Sequence, residues 1–196
     1  MDTRYGAGVA LLVIDMQNDF AAVGGSLYVN GGEEIVPGVN REIAAATLAG
    51  SPVFYSQDWH PPSTPHFVTD GGIWPPHCVR NTPGAQMHPG VTIAGEIIRK
   101  GVDGGDGYSA FSVRDARSGE RSATVLGERL AAHAVTSVVV VGLAGDYCVQ
   151  ETALDARALG LAARVPLPLT RFVELAAGDR ERAVARMLAA GVQVPE

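Results

Sequence analysis

Val138-Val139-Val140-Val141-Gly142-Leu143-Ala144-Gly145-Asp146-Tyr147-Cys148-Val149-Gln150 sets the architecture of the chain. Four consecutive valines closed by a glycine predict a strand buried on both faces, because a strand covered by helices above and below shows no apolar–polar alternation. The Gln150 to Leu159 segment carries helical spacing, so Cys148 falls on the tight turn that opens a helix. Backbone N–H groups at such a turn lack intrahelical partners. The helix dipole adds positive potential there, which lowers a thiol pKa and can hold an oxyanion. The plainer alternative is a free cysteine packed in the interior.

The same strand–turn–helix grammar recurs on either side. Val9 to Ile14 is an apolar run ending at Asp15, and Val39 to Leu48 has helical spacing before Gly50 and Pro52 stop it. Val53 to Ser56 predicts a second strand ending near Asp58, and Ile93 to Arg99 a third ending at Lys100. Between them lies a connection, His60 to Pro89, rich in Pro, Gly and His; a loop of that length in a compact domain points to function. A glycine-rich loop (Gly101, Gly104, Gly105, Gly107) and a helix around Thr124 to Ala134 lead into the valine strand. Beyond Leu159, Ala162 to Leu169 reads as a strand interrupted by prolines, Asp179 to Ala190 as a helix and Val192 to Val194 as a terminal strand. Alternating solid strands and helices predict a three-layer α/β/α fold with a central, mainly parallel sheet of about six strands. In such sheets ligands bind beyond the carboxyl ends of the strands, where Asp15, Asp58, Lys100 and Cys148 arrive from four different strands.

Composition narrows the function. With 196 residues, 46% of them hydrophobic and 18% charged, the chain reads as a single domain, 1–196, with a sizeable core. A net charge of −6 with no Lys/Arg cluster argues against nucleic acid or an anionic membrane as the partner and favours a small neutral ligand. No apolar run approaches the roughly 18 residues of a membrane span, and no signal peptide is evident. Two cysteines, Cys78 and Cys148, suit a reducing compartment, so a cytoplasmic location is expected. The first strand-to-helix turn, Asp-Met-Gln-Asn-Asp-Phe, lacks the glycines of a dinucleotide site, and no phosphate loop is present.

Two constellations carry chemistry. Cys148, Asp15 and Lys100 form a nucleophile, base and cation set for acyl transfer, although taken singly Asp15 reads as a turn former and Lys100 as a solvated charge. Asp58 and His60, two apart on an extended segment, face the same side, and His66 and His77 follow in the long loop. Oxygen and nitrogen ligands without thiolate suit one divalent ion, Zn²⁺, Fe²⁺ or Mn²⁺. His88 and His133 lack partners at ligand spacing, and Cys78, adjacent to His77, is expected to pack.

In order and spacing, several motifs together resemble the nicotinamidase/pyrazinamidase branch of the isochorismatase-like hydrolases. They are Asp15-Met16-Gln17-Asn18-Asp19-Phe20, Asp58-x-His60 with His66, Trp74-Pro75-Pro76-His77-Cys78-Val79, Lys100-Gly101 and Gly142 to Val149, and they span about Val9 to Leu159. The resemblance implies an amidase that converts nicotinamide to nicotinate and ammonia through a cysteine thioester, accepts pyrazinamide, and serves NAD salvage. It implies a triad of Asp15, Lys100 and Cys148, a metal on Asp58, His60, His66 and His77, and an oxyanion hole from the Ala144 and Cys148 amides. It also implies a cis peptide at Leu143-Ala144, Phe20 and Trp74 on either side of a pyridine carboxamide ring, and Tyr108 as a further pocket residue. Gly145 and Tyr147 depart from the Thr and His common in relatives, as does Arg171-Phe172-Val173 in a segment where small residues are usual. These departures bear on pocket size. The rival readings are an amidase or ureidohydrolase of the same superfamily acting on another small amide, a hydrolase using metal-bound water with an inert Cys148, and a silent binding module. A homo-oligomer is compatible with each of these readings.

Overall fold

A computed structural model describes residues 4–196. In chain order the elements are β1 (Val9–Ile14), α1 (Asn18–Ala21), α2 (Val36–Leu48), β2 (Val53–Asp58), β3 (Glu96–Lys100), β4 (Ser112–Arg114), β5 (Arg121–Ala123), α3 (Leu126–Ala132), β6 (Ser137–Leu143), α4 (Cys148–Ala158), β7 (Ala162–Arg164), β8 (Thr170–Arg171) and α5 (Asp179–Ala189). The sheet runs β3-β2-β1-β6-β7, all neighbours parallel, with β8 also pairing β6 beyond the end of β7.

Alternation along the strands divides the core between the two faces, as period-two geometry requires. Leu11, Val13, Tyr55, Val139 and Val141 face α2, where Val39, Ile43 and Ala46 meet them. Ala10, Leu12, Ile14, Val138 and Val140 face the opposite layer, built from α3, α4 and α5 through Leu126, Leu130, Ala153, Ala156 and Met187. Fully burying each such valine or leucine is worth about 1.5–3 kcal/mol, so the valine run anchors both layers at once.

The strands predicted at Val9, Val53 and Val138 all form, and the helix after the valine strand starts at Cys148 itself rather than Gln150. The C-terminal expectations need correction. The strand predicted over Ala162 to Leu169 stops at Arg164, because Pro166 and Pro168 turn the chain into a short 3-10 turn at Leu167–Leu169. Val192 to Val194 forms no strand; only Gln193 bridges, to Arg164. The antiparallel β4–β5 hairpin and the two-residue β8 were not anticipated.

Candidate active site and metal centre

Parallel pairing brings the strand ends level. Asp58 is directly opposite Lys100 across β2 and β3, and Ile14, the last residue of β1, is opposite Gly142 of β6. Asp15 follows β1 in the left-handed region (φ 47°), a conformation that Asp tolerates better than most residues. Ser56 clamps it, donating from its hydroxyl to Asp15 Oδ1 at 2.6 Å and accepting the Asp15 N–H. Gln17 locks the neighbouring strand end: its amide donates to the Asp58 carbonyl and accepts the Asp58 N–H, both at 2.8 Å.

Lys100 is the centre of the charged cluster. Its Nζ lies 2.5 Å from Asp58 Oδ1, 3.0 Å from Asp15 Oδ2 and 3.6 Å from Cys148 Sγ, and its side chain is 1% exposed. Burial opposes the ammonium charge, yet Asp15 and Asp58 hold Lys100 well above the ordinary lysine range. Burial would likewise raise Asp58, but Lys100 and His60 outweigh it and keep that carboxyl well below the usual carboxylate range. At Asp15 burial prevails over Lys100 and the carboxyl is pushed up. Burial also pushes the Cys148 thiol well up against the pull of Lys100, so the resting sulfur carries its proton. Asp15 Oδ2 is close to Nζ but not aligned for a hydrogen bond, which leaves this buried oxygen an open acceptor. The Leu143-Ala144 peptide is cis, and among the described residues neither the Ala144 nor the Cys148 amide has an acceptor.

The histidines form a second cluster. His60 pairs with the returning loop, accepting the Arg80 N–H and donating to the Cys78 carbonyl, and this carries His77 alongside it. The rings of His60, His66 and His77 pack with centroids 4.9–5.3 Å apart. Their ring nitrogens include a set lying within 4.8 Å of one another. His77 Nδ1 contacts the Pro75 carbonyl at 2.7 Å, and a carbonyl only accepts, so the proton is on Nδ1 and Nε2 keeps a lone pair. Burial lowers His77 to about 4, which keeps the ring neutral. Both ring nitrogens of His60 are buried without a hydrogen-bond partner among the described residues. Orphaned imidazole nitrogens are costly unless something binds them, so this donor set fits a divalent ion. Asp58 stands at its edge, with Oδ2 3.7 Å from His60 Nε2 while Oδ1 is taken by Lys100.

Between the clusters opens a mostly apolar pocket with about 440 Å³ of space, part of it open to solvent. Phe20, Trp74, Tyr108, His66, His77, Asp58, Ala144 and Cys148 all reach it. Trp74 Nε1 donates to the Tyr108 hydroxyl at 3.0 Å, and burial pushes that phenol up to about 12, so it stays protonated. Cys78 is fully buried and packs, as expected.

The Isochorismatase domain model matches residues 9–193. The chain belongs to the isochorismatase family. Over 93% of its length it is 38% identical to the nicotinamidase of Escherichia coli, covering 92% of that protein. It is 38% identical to the nicotinamidase/pyrazinamidase of Mycobacterium tuberculosis, over 84% of this chain and 87% of that one. Among solved structures, PnC1 from L. infantum in complex with nicotinate superposes with a TM-score of 0.88 at 37% identity, covering 97% of this chain and 93% of that one. The pyrazinamidase of Pyrococcus horikoshii in complex with zinc gives 0.85 at 34% identity, covering 96% and 99%.

Within this isochorismatase-family site, several contributors escaped sequence reasoning. Leu27 and Val29 line the pocket unannounced, whereas Tyr147 and Val173, singled out in the sequence as bearing on pocket size, do reach it, and Tyr147 packs edge-on against both Trp74 and Tyr108 at 5.1 Å. Asp19 accepts the Cys78 N–H at 2.7 Å and so ties the His77 loop to α1; its place in the Asp-x-Gln-x-Asp run was the available signal. Two of the departures noted in the sequence, Gly145 and Phe172, are coupled. A Cβ on Gly145 would lie 2.5 Å from the Phe172 ring, so the ring occupies the space that a side chain at 145 would need. Arg171 and Phe172 themselves line a neighbouring polar cavity, and only Val173 of that segment reaches the pocket.

Proposed function

We propose that this chain hydrolyses nicotinamide to nicotinate and ammonia and accepts pyrazinamide as well. The observation that carries the reading is the buried Asp15–Lys100–Cys148 cluster opening into an aromatic pocket that also receives a histidine triplet. The family membership and the nicotinamidases among its relatives support the same substrate class. Asp15 takes the thiol proton, and Cys148 Sγ attacks the carboxamide carbon. The oxyanion settles on the Ala144 and Cys148 amides, while Lys100 keeps the negative charge of sulfur and carboxylate balanced. Asp15 then returns the proton to the departing ammonia, and water, deprotonated by the same carboxylate, hydrolyses the thioester.

His60, His66 and His77 with Asp58 would hold one divalent ion, and the zinc in the Pyrococcus horikoshii relative favours Zn²⁺ over Fe²⁺ or Mn²⁺. Such an ion supplies a Lewis acid for a ring nitrogen. Phe20 and Trp74 hold the ring, Tyr108 fixes Trp74, and together they set the carboxamide carbon at Cys148. No helix among the described residues is long and apolar enough to cross a membrane, and the two free cysteines fit a cytoplasmic setting.

Ammonia release from nicotinamide, pyrazinamide, benzamide and a linear ureido compound at equal concentration tests this. Nicotinamide and pyrazinamide are turned over, and benzamide, which lacks the ring nitrogen, is poor. Benzamide matching nicotinamide refutes ring-nitrogen recognition, and a preference for the ureido compound refutes the nicotinamidase assignment.

A further inference from the structure

Asp106 belongs to none of the residue sets read from the sequence, yet it is the most heavily anchored side chain of the glycine-rich loop after Lys100. Its Oδ1 accepts from His66 Nδ1 at 2.7 Å and from the Gly107 N–H at 2.8 Å, and its Oδ2 accepts from Arg114 Nη2 at 3.0 Å. Its backbone also exchanges a reciprocal pair of hydrogen bonds with Arg114 of β4. Two hydrogen bonds therefore hold the carboxylate, and a backbone pair holds its residue, independently of the histidine.

That arrangement determines what His66 offers. An ionised carboxylate accepts and cannot donate, so the proton of the neutral ring must reside on Nδ1, leaving a lone pair on Nε2. The three histidines differ in this respect. Among the described residues, Nδ1 of His77 faces a neutral carbonyl, neither nitrogen of His60 makes a hydrogen bond although Asp58 Oδ2 is 3.7 Å from its Nε2, and of the three only His66 hydrogen-bonds a carboxylate. A carboxylate partner fixes tautomer and ring orientation and makes the opposite nitrogen a stronger ligand.

We infer that Asp106, braced by Arg114 of the β4–β5 hairpin, is the positioning residue of the metal centre, holding His66 in the tautomer and orientation that bind a divalent ion. The inference rests on the metal reading given above. It assigns the hairpin, a two-stranded sheet separate from the main one, a role in the site. Without Asp106, His66 gains access to the other tautomer, whose lone pair is on Nδ1 and points away from His60 and His77.

The test is zinc affinity of the full chain, stripped with chelator and titrated against a chromophoric competitor. Asp106→Ala is expected to bind Zn²⁺ about 10- to 100-fold more weakly than wild type. Asp106→Asn, whose amide oxygen still accepts from Nδ1 without a charge, falls between the two, and it decides the matter if the alanine variant does not fold. The iodoacetamide labelling rate of Cys148 in the metal-free variants stays at the wild-type value, which general loss of structure would not allow. Affinities within twofold of wild type in folded Asp106 variants overturn the inference alone. A wild-type protein that binds no divalent ion overturns it together with the metal reading.

Discussion

Replacing Lys100 by methionine removes one ammonium and strands two carboxylates. Methionine fills similar volume, so the packing loss is small and the effect is electrostatic. Asp15 and Asp58 are 1% and 7% exposed at the side chain, and Lys100 is their shared cation. Removing one partner of a buried ion pair costs about 3–5 kcal/mol. For a domain of this size each kcal/mol lowers Tm by roughly 2–4 °C, which gives a fall of about 6–20 °C. The pH dependence has a definite sign. In the variant, burial and mutual repulsion raise the folded-state pKa of the carboxyls, so their contribution is favourable below the unfolded pKa of about 3.9 and is lost as pH rises through the folded value. In the wild type Asp58 is held low, so its contribution is present above the unfolded pKa and is lost as pH falls. The first effect shrinks the gap as pH falls from about 8 towards about 5, and the second adds to that shrinkage only near and below the unfolded pKa of about 3.9. Thermal melts of chelator-treated protein between about pH 8 and about pH 5 measure it. A gap below about 2 °C near neutrality, or one that does not change with pH, would refute the view that Lys100 holds two buried carboxylates together.

Cys148→Ala should abolish ammonia release while leaving Tm and metal content at wild-type levels; retained turnover would move the nucleophile to metal-bound water. Asp15→Asn should lower kcat by about 10²–10⁴ because an amide cannot take the thiol proton, and a loss under tenfold would remove Asp15 as the base. His60→Ala should lose the divalent ion, read by elemental analysis, with little change in Cys148 labelling by iodoacetamide. Gly145→Ala should cost about 1–3 kcal/mol by urea unfolding because its Cβ meets the Phe172 ring, and most of that cost should vanish in a Phe172→Ala background. Equal costs in both backgrounds would show that the two positions are not coupled.

Strands with solid apolar runs were legible because burial on both faces writes itself into consecutive residues, as at Val138 to Val141. The side chains at their carboxyl ends were legible for the same reason, since a strand's end places the next polar residue. What stayed hidden lacks that imprint. The β4 and β5 strands are three residues each and largely exposed, so no pattern marks them. β8 follows two prolines and owes its existence to pairing with the end of β6, a tertiary fact. Asp106 sat among glycines with nothing to distinguish it from a loop carboxylate until the fold brought His66 to it. Arg171-Phe172 read as a pocket feature because they differ from relatives, whereas both line a neighbouring cavity and the ring fills the space above Gly145.

The charged cluster is drawn from far along the chain. Lys100 is 42 positions from Asp58 and 48 from Cys148; the first two end neighbouring strands and Cys148 opens the helix after β6. During synthesis from the N-terminus, Asp15, Lys100 and the histidine loop all emerge before β6 and Cys148, and β1 has a neighbour on only one side until β6 seats against it. A nascent chain therefore has its ionisable groups without a closed interior to bury them in, and insertion of the valine strand both completes the sheet and delivers the sulfur. Catalytic competence should thus appear late and abruptly in refolding, making ammonia release a readout of the finished sheet rather than of helix content.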